Sequence, residues 1–144
     1  MGYAYKTSVP VDRSQCEIKK ILTKYAAKSF AYGETDASCV VMFEMASRRI
    51  KFVLPMMTKE SCNKNDSVPS DKEIDQEARR RWRCLVLCIK AKLESVESGI
   101  TTFEQEFLAH IVLPNGQTVG STIMPQIESS YKNGEMPPLL GYHQ

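Results

Sequence analysis

The hydrophobic pattern of residues 71–98 has the period of a single helix of 28 residues. Its apolar side chains recur every three or four positions, which gathers them on one wide stripe. This stripe consists of Ile74, Ala78, Trp82, Leu85, Val86, Ile89, Leu93 and Val96. Such a width is typical of a central helix, so we expect the rest of the domain to pack around it.

Two other faces of this helix lead to different predictions. A narrow stripe of small side chains would let a second element pack closely against the helix. It is formed by Cys84, Cys88, Ala91 and Ser95. The third face is charged and is either solvated or turned toward a partner. It carries Lys72, Arg79, Arg83, Lys90, Glu94 and Glu97.

Before the central helix, the pattern changes from helical to alternating. Asp12 and Gln15 form a candidate capping box for a helix that ends near Lys28. Three stretches of period two then predict strands over residues 30–33, 39–45 and 48–55, joined by turns at 33–38 and 46–47. In the third strand, Ile50, Phe52 and Leu54 face one side, and Arg49, Lys51 and Val53 face the other. These strands form an antiparallel meander.

The remaining segments are shorter. Residues 58–70 are polar and aperiodic, which predicts a surface loop. The central helix is expected to stop at Gly99. Three further elements follow. The first is a helix capped by Thr101 and Glu104, which buries Phe103, Phe107 and Leu108. The second is a hairpin of residues 110–113 and 117–119 around Pro114-Asn115-Gly116, and the third is a helix over 124–132 that ends at Asn133-Gly134. The predicted fold class is α+β: a three-stranded antiparallel meander packed by helices, one of them long and central, with a small C-terminal hairpin and helix.

Length and composition fit a single domain over residues 1–144. Hydrophobic residues make up 42% and charged residues 25%, which are ordinary globular values. No apolar run approaches the roughly 20 residues needed to span a bilayer, and the start of the chain lacks the pattern of a signal peptide. The five cysteines are scattered and odd in number, which predicts small core residues in a reducing compartment. We therefore expect a cytoplasmic protein that does not bind a membrane.

Three stretches of the chain resemble one known family. They are SVPVDRSQCEIKKILTKYAAKSFAYG, the strand RRIKFVLP, and RRRWRCLVLCIKAKLESVESGITTFEQEFLAHIVLPNGQTVG. The family comprises small proteins encoded by bacteriophages and prophages, with no established activity. The resemblance implies a protein made inside a bacterial host cell, with partners from the phage or the host. Cys84 and Cys88 depart from the aliphatic or small residues expected there, which favours a packing role for both.

The basic cluster of residues 79–83 is the strongest candidate for function. Arginine side chains present forked donors that match phosphate oxygens. On a helix, Arg79 and Arg83 share a face, whereas Trp82 turns toward the core. The alternative is a solvated, salt-bridged surface, since Asp75 can pair with Arg79, and Glu77 with Arg80 or Arg81.

A broader basic surface would form if the lysines of the first helix lay beside the third strand. The lysines are Lys20, Lys24 and Lys28, and the strand residues are Arg49 and Lys51. Such a patch would bind nucleic acid through its phosphates, with strong salt dependence and little sequence preference. The same lysines also fit plain solvation of a helix face.

Recognised catalytic motifs are missing from the sequence. It has no G-x-S-x-G, no phosphate-binding GxxxxGK and no glycine fingerprint after a strand. Cys84 and Cys88 supply two potential metal ligands, but a structural zinc site needs four. Glu106 and His110 share a helix face and would form an acid–base pair if they met.

Three hypotheses follow. The first is a non-enzymatic phage-type accessory protein that binds nucleic acid or a host protein, without a cofactor or metal, through Arg79, Arg80, Arg83, Lys24, Arg49 and Lys51. The second is a small metal-dependent nuclease or nucleotide hydrolase that uses Glu104, Glu106 and His110. The third is a homo-oligomeric structural protein whose subunits meet at the small-residue stripe.

Overall fold

The structure, a computed structural model, describes residues 6–60 and 67–136. Its elements are α1 (Val11–Lys24), β1 (Ser29–Glu34), β2 (Ser38–Met45), β3 (Arg48–Pro55), α2 (Asp71–Glu97), α3 (Phe103–Phe107), a 3₁₀ turn (Leu108–His110) and α4 (Val119–Asn133). The predicted α+β class is confirmed. No helix of the described segments is both long enough and apolar enough to cross a membrane.

The sheet is the predicted antiparallel meander, with the strand order β1-β2-β3. Ala46 and Ser47 join β2 to β3 with positive φ values of 52° and 59°. Two consecutive positive φ angles fit the twist of a tight hairpin, although neither residue is a glycine. The register pairs Phe43 with Ile50 and so aligns the apolar positions of both strands on one face.

One face of the sheet is covered and the other is open. On β2 and β3 the buried side chains alternate with exposed or half-buried ones, and they belong to the core that α1 and α2 complete. The buried set is Cys39, Val41, Phe43, Met45, Ile50 and Phe52. The intervening positions, among them Arg49, Lys51 and Val53, therefore lie on the opposite face.

The central helix α2 fills the core as predicted. Its buried residues are Trp82, Leu85, Val86, Ile89 and Leu93. Ser70 caps its start by accepting a hydrogen bond from the Glu73 N–H, and Gly99, with φ 76°, follows its end. The ring of Phe107 packs edge to face on Phe43 and on Phe52, at centroid distances of 6.1 and 6.2 Å.

The small-residue stripe of α2 does not receive the predicted second element. Cys88 and Ala91 are exposed, and Cys84 and Ser95 are half-buried. Within the described segments, α1 packs instead along the charged face, where Arg83 reaches Glu17. The prediction was wrong because an ion pair and the apolar side chains beside it decided which face of α2 was covered.

The boundaries of α1 also differ from the prediction. Pro10 is the N-cap and makes no side-chain cap hydrogen bond, so Asp12 lies inside the first turn rather than at the cap. The helix ends at Lys24 because Ala26 adopts a left-handed φ of 66°. Lys28 consequently lies outside the helix and cannot extend its row of lysines.

The capping box of α3 occurs one residue later than predicted. The Thr102 hydroxyl accepts from the Gln105 N–H, and the Gln105 side chain accepts from the Thr102 N–H. Phe107 is fully buried and Phe103 packs against the core, as expected, whereas Leu108 is 52% exposed. The hydroxyl of Thr101 bonds to Glu106 instead of capping the helix.

The C-terminal hairpin is short: one isolated bridge, Val112–Thr118, joins its two arms, with a backbone hydrogen bond from Leu113 to Gln117, and Ile111 bridges to Ile50 of β3. The last helix begins at Val119, five residues earlier than predicted, because the Thr118 hydroxyl caps it by accepting from the Ser121 N–H. Its end before Gly134, which has a φ of 70°, is confirmed. Of the predicted loop over 58–70, residues 61–66 lie outside the described residues.

Candidate anion-binding face of the paired helices

Helices α1 and α2 lie side by side and run in the same direction. Among the described residues, three hydrogen bonds link α2 to α1 and the residues that flank it, in the same order along both: Gln76 Nε2 to the Thr7 carbonyl (3.0 Å), Arg83 Nη1 to Glu17 Oε2 (2.5 Å) and the Tyr25 hydroxyl to Glu97 Oε2 (2.6 Å). The parallel arrangement places equivalent turns of the two helices next to each other. Side chains on their facing outer sides therefore form one continuous surface.

This surface is strongly basic. Residues three, four or seven apart on a helix share a side, which collects two rows of cations, one from each helix. We call this surface the basic face and define it as Arg13, Lys20 and Lys24 of α1 with Lys72, Arg79, Arg83 and Lys90 of α2. Arg79 and Arg83 are half-buried and the other five are exposed. Glu94 and Glu97 continue the α2 row, and Glu97 accepts a hydrogen bond from Tyr25 next to Lys24, so this end of the surface carries both charges.

Glu17 is the carboxylate that stands inside the basic face. Arg83 donates to both of its oxygens, at 2.5 and 3.2 Å. The hydrogen bond from Arg83 lowers the pKa of Glu17 against the opposing effect of desolvation, and the charges of Arg83, Lys90 and Arg13 lower it further. Three cations from two helices thus converge on one carboxylate.

The arginine cluster divides between two roles. Arg79 lies on the basic face and donates to Gln76 Oε1 at 2.8 Å, rather than to Asp75 as predicted. Arg80 and Arg81 both pair with Glu77, at 2.6 and 2.8 Å, which confirms the salt-bridged interpretation for these two residues.

Glu77 ties this part of α2 to the sheet. The hydrogen bond from Arg80 is the largest cause that lowers the pKa of Glu77 to about 2, and the bond from Arg81 adds to it against desolvation. Arg81 also donates to the carbonyl oxygen of Pro55 at the end of β3. Arg80 is therefore engaged in a structural network beside the basic face.

The strand cations do not join the helix cations. Arg49 and Lys51 alternate with Ile50 and Phe52, which are buried beneath the helices, so their side chains lie on the open face of the sheet. Lys20 and Lys24 are exposed on α1, on the other side of the sheet. The predicted patch of Lys20, Lys24 and Lys28 with Arg49 and Lys51 is therefore split between two layers.

The predicted catalytic residues have separate partners. Glu104 pairs with Arg48 at 3.0 Å, whereas Glu106 pairs with Lys92 at 3.6 Å. His110 stacks on Phe52 with a centroid distance of 4.0 Å. Burial, and then the charge of Lys92, lowers the pKa of His110. In the described part of the chain, none of these three side chains bonds to another of the three.

The cysteines are less uniform than predicted. Cys39 is buried, as expected of a small core residue, but Cys16 and Cys88 are exposed. Cys62 lies outside the described residues. Across residues 6–60 and 67–136, no three His, Cys, Asp or Glu side chains gather in a way that could hold a metal ion.

Sequence reasoning overlooked Arg13 and Glu17 as parts of the candidate site. Their signal is the spacing of residues 13, 17, 20 and 24, which puts all four on one side of α1. That spacing does not reveal which neighbouring helix they face. The ion pair between Glu17 and Arg83, 66 positions apart, exists only in the folded chain.

No protein-family model matches this chain, and no curated protein or solved structure is significantly similar to it.

Proposed function

We propose that this protein is a non-enzymatic, phage-type accessory protein that binds nucleic acid through the basic face. The observation that carries the proposal is the cluster of cations from both helices around Glu17, where Arg83 donates to the carboxylate and the charges of Lys90 and Arg13 act on it as well. The resemblance to bacteriophage and prophage proteins adds a cellular setting, the bacterial cytoplasm, in which such a partner is abundant.

Binding to phosphates explains why cations dominate this surface. Lys and Arg side chains that neutralise phosphates release condensed counterions, so affinity falls as salt rises. Phosphate contacts position a protein on its partner but do not read the base sequence. We expect little sequence preference and, for about four phosphate contacts, an affinity loss on the order of 100-fold between about 50 and 200 mM salt.

The test compares two double variants, each of which removes two cations from a different side of the molecule. Lys24→Ala with Arg79→Ala takes one cation from each helix of the basic face, and the matched control, Arg49→Ala with Lys51→Ala, takes two from the open sheet face. Binding to a labelled oligonucleotide of about 20 nucleotides is measured by fluorescence anisotropy over a range of salt. The helix variant is expected to lose about tenfold in affinity at low salt and to flatten the salt dependence.

The control variant is expected to bind within about twofold of the wild type, since it differs only in the location of the lost charge. Equal losses in both variants would mean that net charge, not the basic face, drives binding. A wild-type protein that shows no salt-sensitive binding to single-stranded or duplex DNA or RNA would rule out the proposed function.

Self-association is a second candidate. The observation that favours it is the small-residue stripe of α2, which a single chain leaves uncovered at Cys88 and Ala91. A solution mass of about 16 kDa by light scattering, independent of concentration, would exclude it. A dimer mass that reverts to that of a monomer on Ala91→Glu, while Lys72→Glu leaves the dimer intact, would place the contact on the stripe.

A further inference from the structure

We propose that Glu17 is an internal stand-in for a phosphate group: it occupies the position on the basic face where a phosphate of the nucleic-acid backbone binds, and that phosphate displaces it. The inference rests on the proposed function, which it deepens by locating a phosphate subsite and a competing group. The site consists of Arg83, with Arg13 and Lys90 beside it.

The geometry of the ion pair is that of anion recognition. Arg83 directs its two terminal nitrogens at the two oxygens of Glu17, at 2.5 and 3.2 Å. A guanidinium fork accepts a carboxylate or a phosphate in the same two-pronged way. A pair of phosphate oxygens can therefore accept from the two Arg83 nitrogens in place of the carboxylate.

The site is also open enough for exchange. The side chain of Glu17 is 34% exposed and that of Arg83 is 20% exposed, so the carboxylate, the group to be displaced, is the more accessible partner. Glu17 lies on the outer side of α1, and rotation about its side-chain bonds moves the carboxylate into water. Arg13 and Lys90, whose charges act on Glu17 in the free protein, then act on the incoming phosphate.

Glu77, in contrast to Glu17, is a carboxylate with a structural role. It is 19% exposed, holds both Arg80 and Arg81, and is linked through Arg81 to the end of β3. Its displacement would release two arginines, one of which also bonds to the end of β3. Displacement of Glu17 breaks its ion pair with Arg83, whereas the apolar contacts of the two helices and the Tyr25–Glu97 hydrogen bond remain.

If Glu17 competes with phosphate, its substitution should strengthen binding to nucleic acid, whereas substitution of a structural residue should weaken it. In Glu17→Gln the carboxylate is replaced by an uncharged group of the same shape, so no anion has to be expelled. We expect the variant to bind an oligonucleotide about fivefold more tightly than the wild type at low salt, and with a steeper salt dependence. The control, Asp12→Asn, removes one negative charge from the same helix away from the basic face and should change affinity by less than about twofold.

A second measurement separates this inference from the proposed function. The side-chain N–H signals of Arg83 are followed by NMR during titration with inorganic phosphate, in the wild type and in Glu17→Gln. Displacement predicts a shift at lower phosphate concentration in the variant. Circular dichroism of both proteins verifies that the variant is folded.

Each combination of results has a definite meaning. If the wild type binds nucleic acid but Glu17→Gln binds no more tightly, or more weakly, Glu17 is structural and the inference is overturned while the proposed function stands. If neither protein binds nucleic acid but phosphate shifts Arg83 in the variant at lower concentration, the anion subsite stands and the proposed function falls. If phosphate leaves Arg83 unchanged in the variant, the subsite is refuted.

Discussion

Ser14 is the residue at which burial and hydrogen bonding conflict most directly. It lies in α1 with no exposed surface, and within the described part of the chain its hydroxyl oxygen has no hydrogen-bond partner. A buried polar group without a partner loses its bonds to water and gains none in return. The residue therefore destabilises the fold at a position where an apolar group of the same size would not.

We expect Ser14→Ala to raise the free energy of unfolding by about 1 kcal/mol, because it removes the unbonded hydroxyl and places a better helix former in α1. Urea denaturation at neutral pH measures the change. Ser29→Ala, at an exposed position, is the comparison and should alter stability by less than about 0.5 kcal/mol. A destabilised Ser14→Ala protein would show that the hydroxyl makes a bond after all.

At the scale of elements, the helices differ greatly in how firmly they are held. Helix α2 has five buried residues, whereas α4, with 15 residues, has none. Met124 and Tyr131 of α4 are 60% and 89% exposed. Its attachment is concentrated at Gly120, where a Cβ atom would lie only 2.9 Å from the carbonyl oxygen of Ala109.

This close approach predicts that Gly120→Ala loosens α4. Alanine normally favours a helix over glycine by about 1 kcal/mol, but here its methyl group meets a backbone oxygen that cannot rotate away. We expect faster amide hydrogen exchange along α4 and a net loss of about 1 kcal/mol in stability.

Tyr131→Ala, at an exposed position of the same helix, serves as the control for the alanine substitution itself. It should leave exchange in α4 unchanged or slower, since alanine is the better helix former. Unchanged exchange in Gly120→Ala would show that the contact with Ala109 is not what anchors the helix.

At the scale of the whole molecule, stability depends on protonation in two pH windows. The pKa of His110 is lowered from 6.5, first by burial and then by Lys92, so the folded protein favours the neutral ring. The contribution of His110 to the free energy of unfolding is therefore present above pH 6.5 and is lost as the pH falls below that value. The pKa of Glu77 is lowered from 4.5 to about 2, so its contribution is present above pH 4.5 and is lost as the pH falls toward 2.

Urea unfolding across this range should therefore show a first loss of stability below pH 6.5 and a second between pH 4.5 and 2. His110→Phe, which keeps a ring on Phe52, should abolish the first. Glu77→Gln should cost on the order of 1–2 kcal/mol at neutral pH, since it leaves Arg80 and Arg81 with a weaker acceptor. The stability difference between Glu77→Gln and the wild type should shrink between pH 4.5 and 2, where the wild type loses the same charge by protonation. A deficit independent of pH would contradict the ion-pair explanation.

Local patterns predicted most of the architecture. Alternation along residues 39–45 and 48–55 predicted β2 and β3 within one residue at each end, and the apolar stripe of α2 predicted its length and the inward turn of Trp82. Errors occurred where two nearby residues could both start or stop a helix, as at Thr101 and Thr102, or where an alanine took a left-handed conformation, as at Ala26. Such choices depend on small local energy differences that neighbouring contacts can reverse.

The candidate site was only partly predictable. Arg79, Arg83 and Lys24 were recognised as basic residues on helix faces, and all three lie on the basic face. Glu77 was also recognised as a partner for Arg80 and Arg81, because a pair three or four residues apart is set by helix geometry alone. Arg49 and Lys51 were wrongly joined to them, since alternation reveals that two faces of a strand differ but not which one the helices cover.

By itself, then, the sequence determined the periodic elements and the ion pairs within a single helix, because both follow from the repeat of one segment. Tertiary structure decided which faces of those segments meet. The parallel packing of α1 on α2 brought Glu17 to Arg83 and left Cys88 and Ala91 of the small-residue stripe exposed, against expectation. The physical reason is that contacts distant in sequence depend on how all apolar faces are buried together, which no single segment specifies.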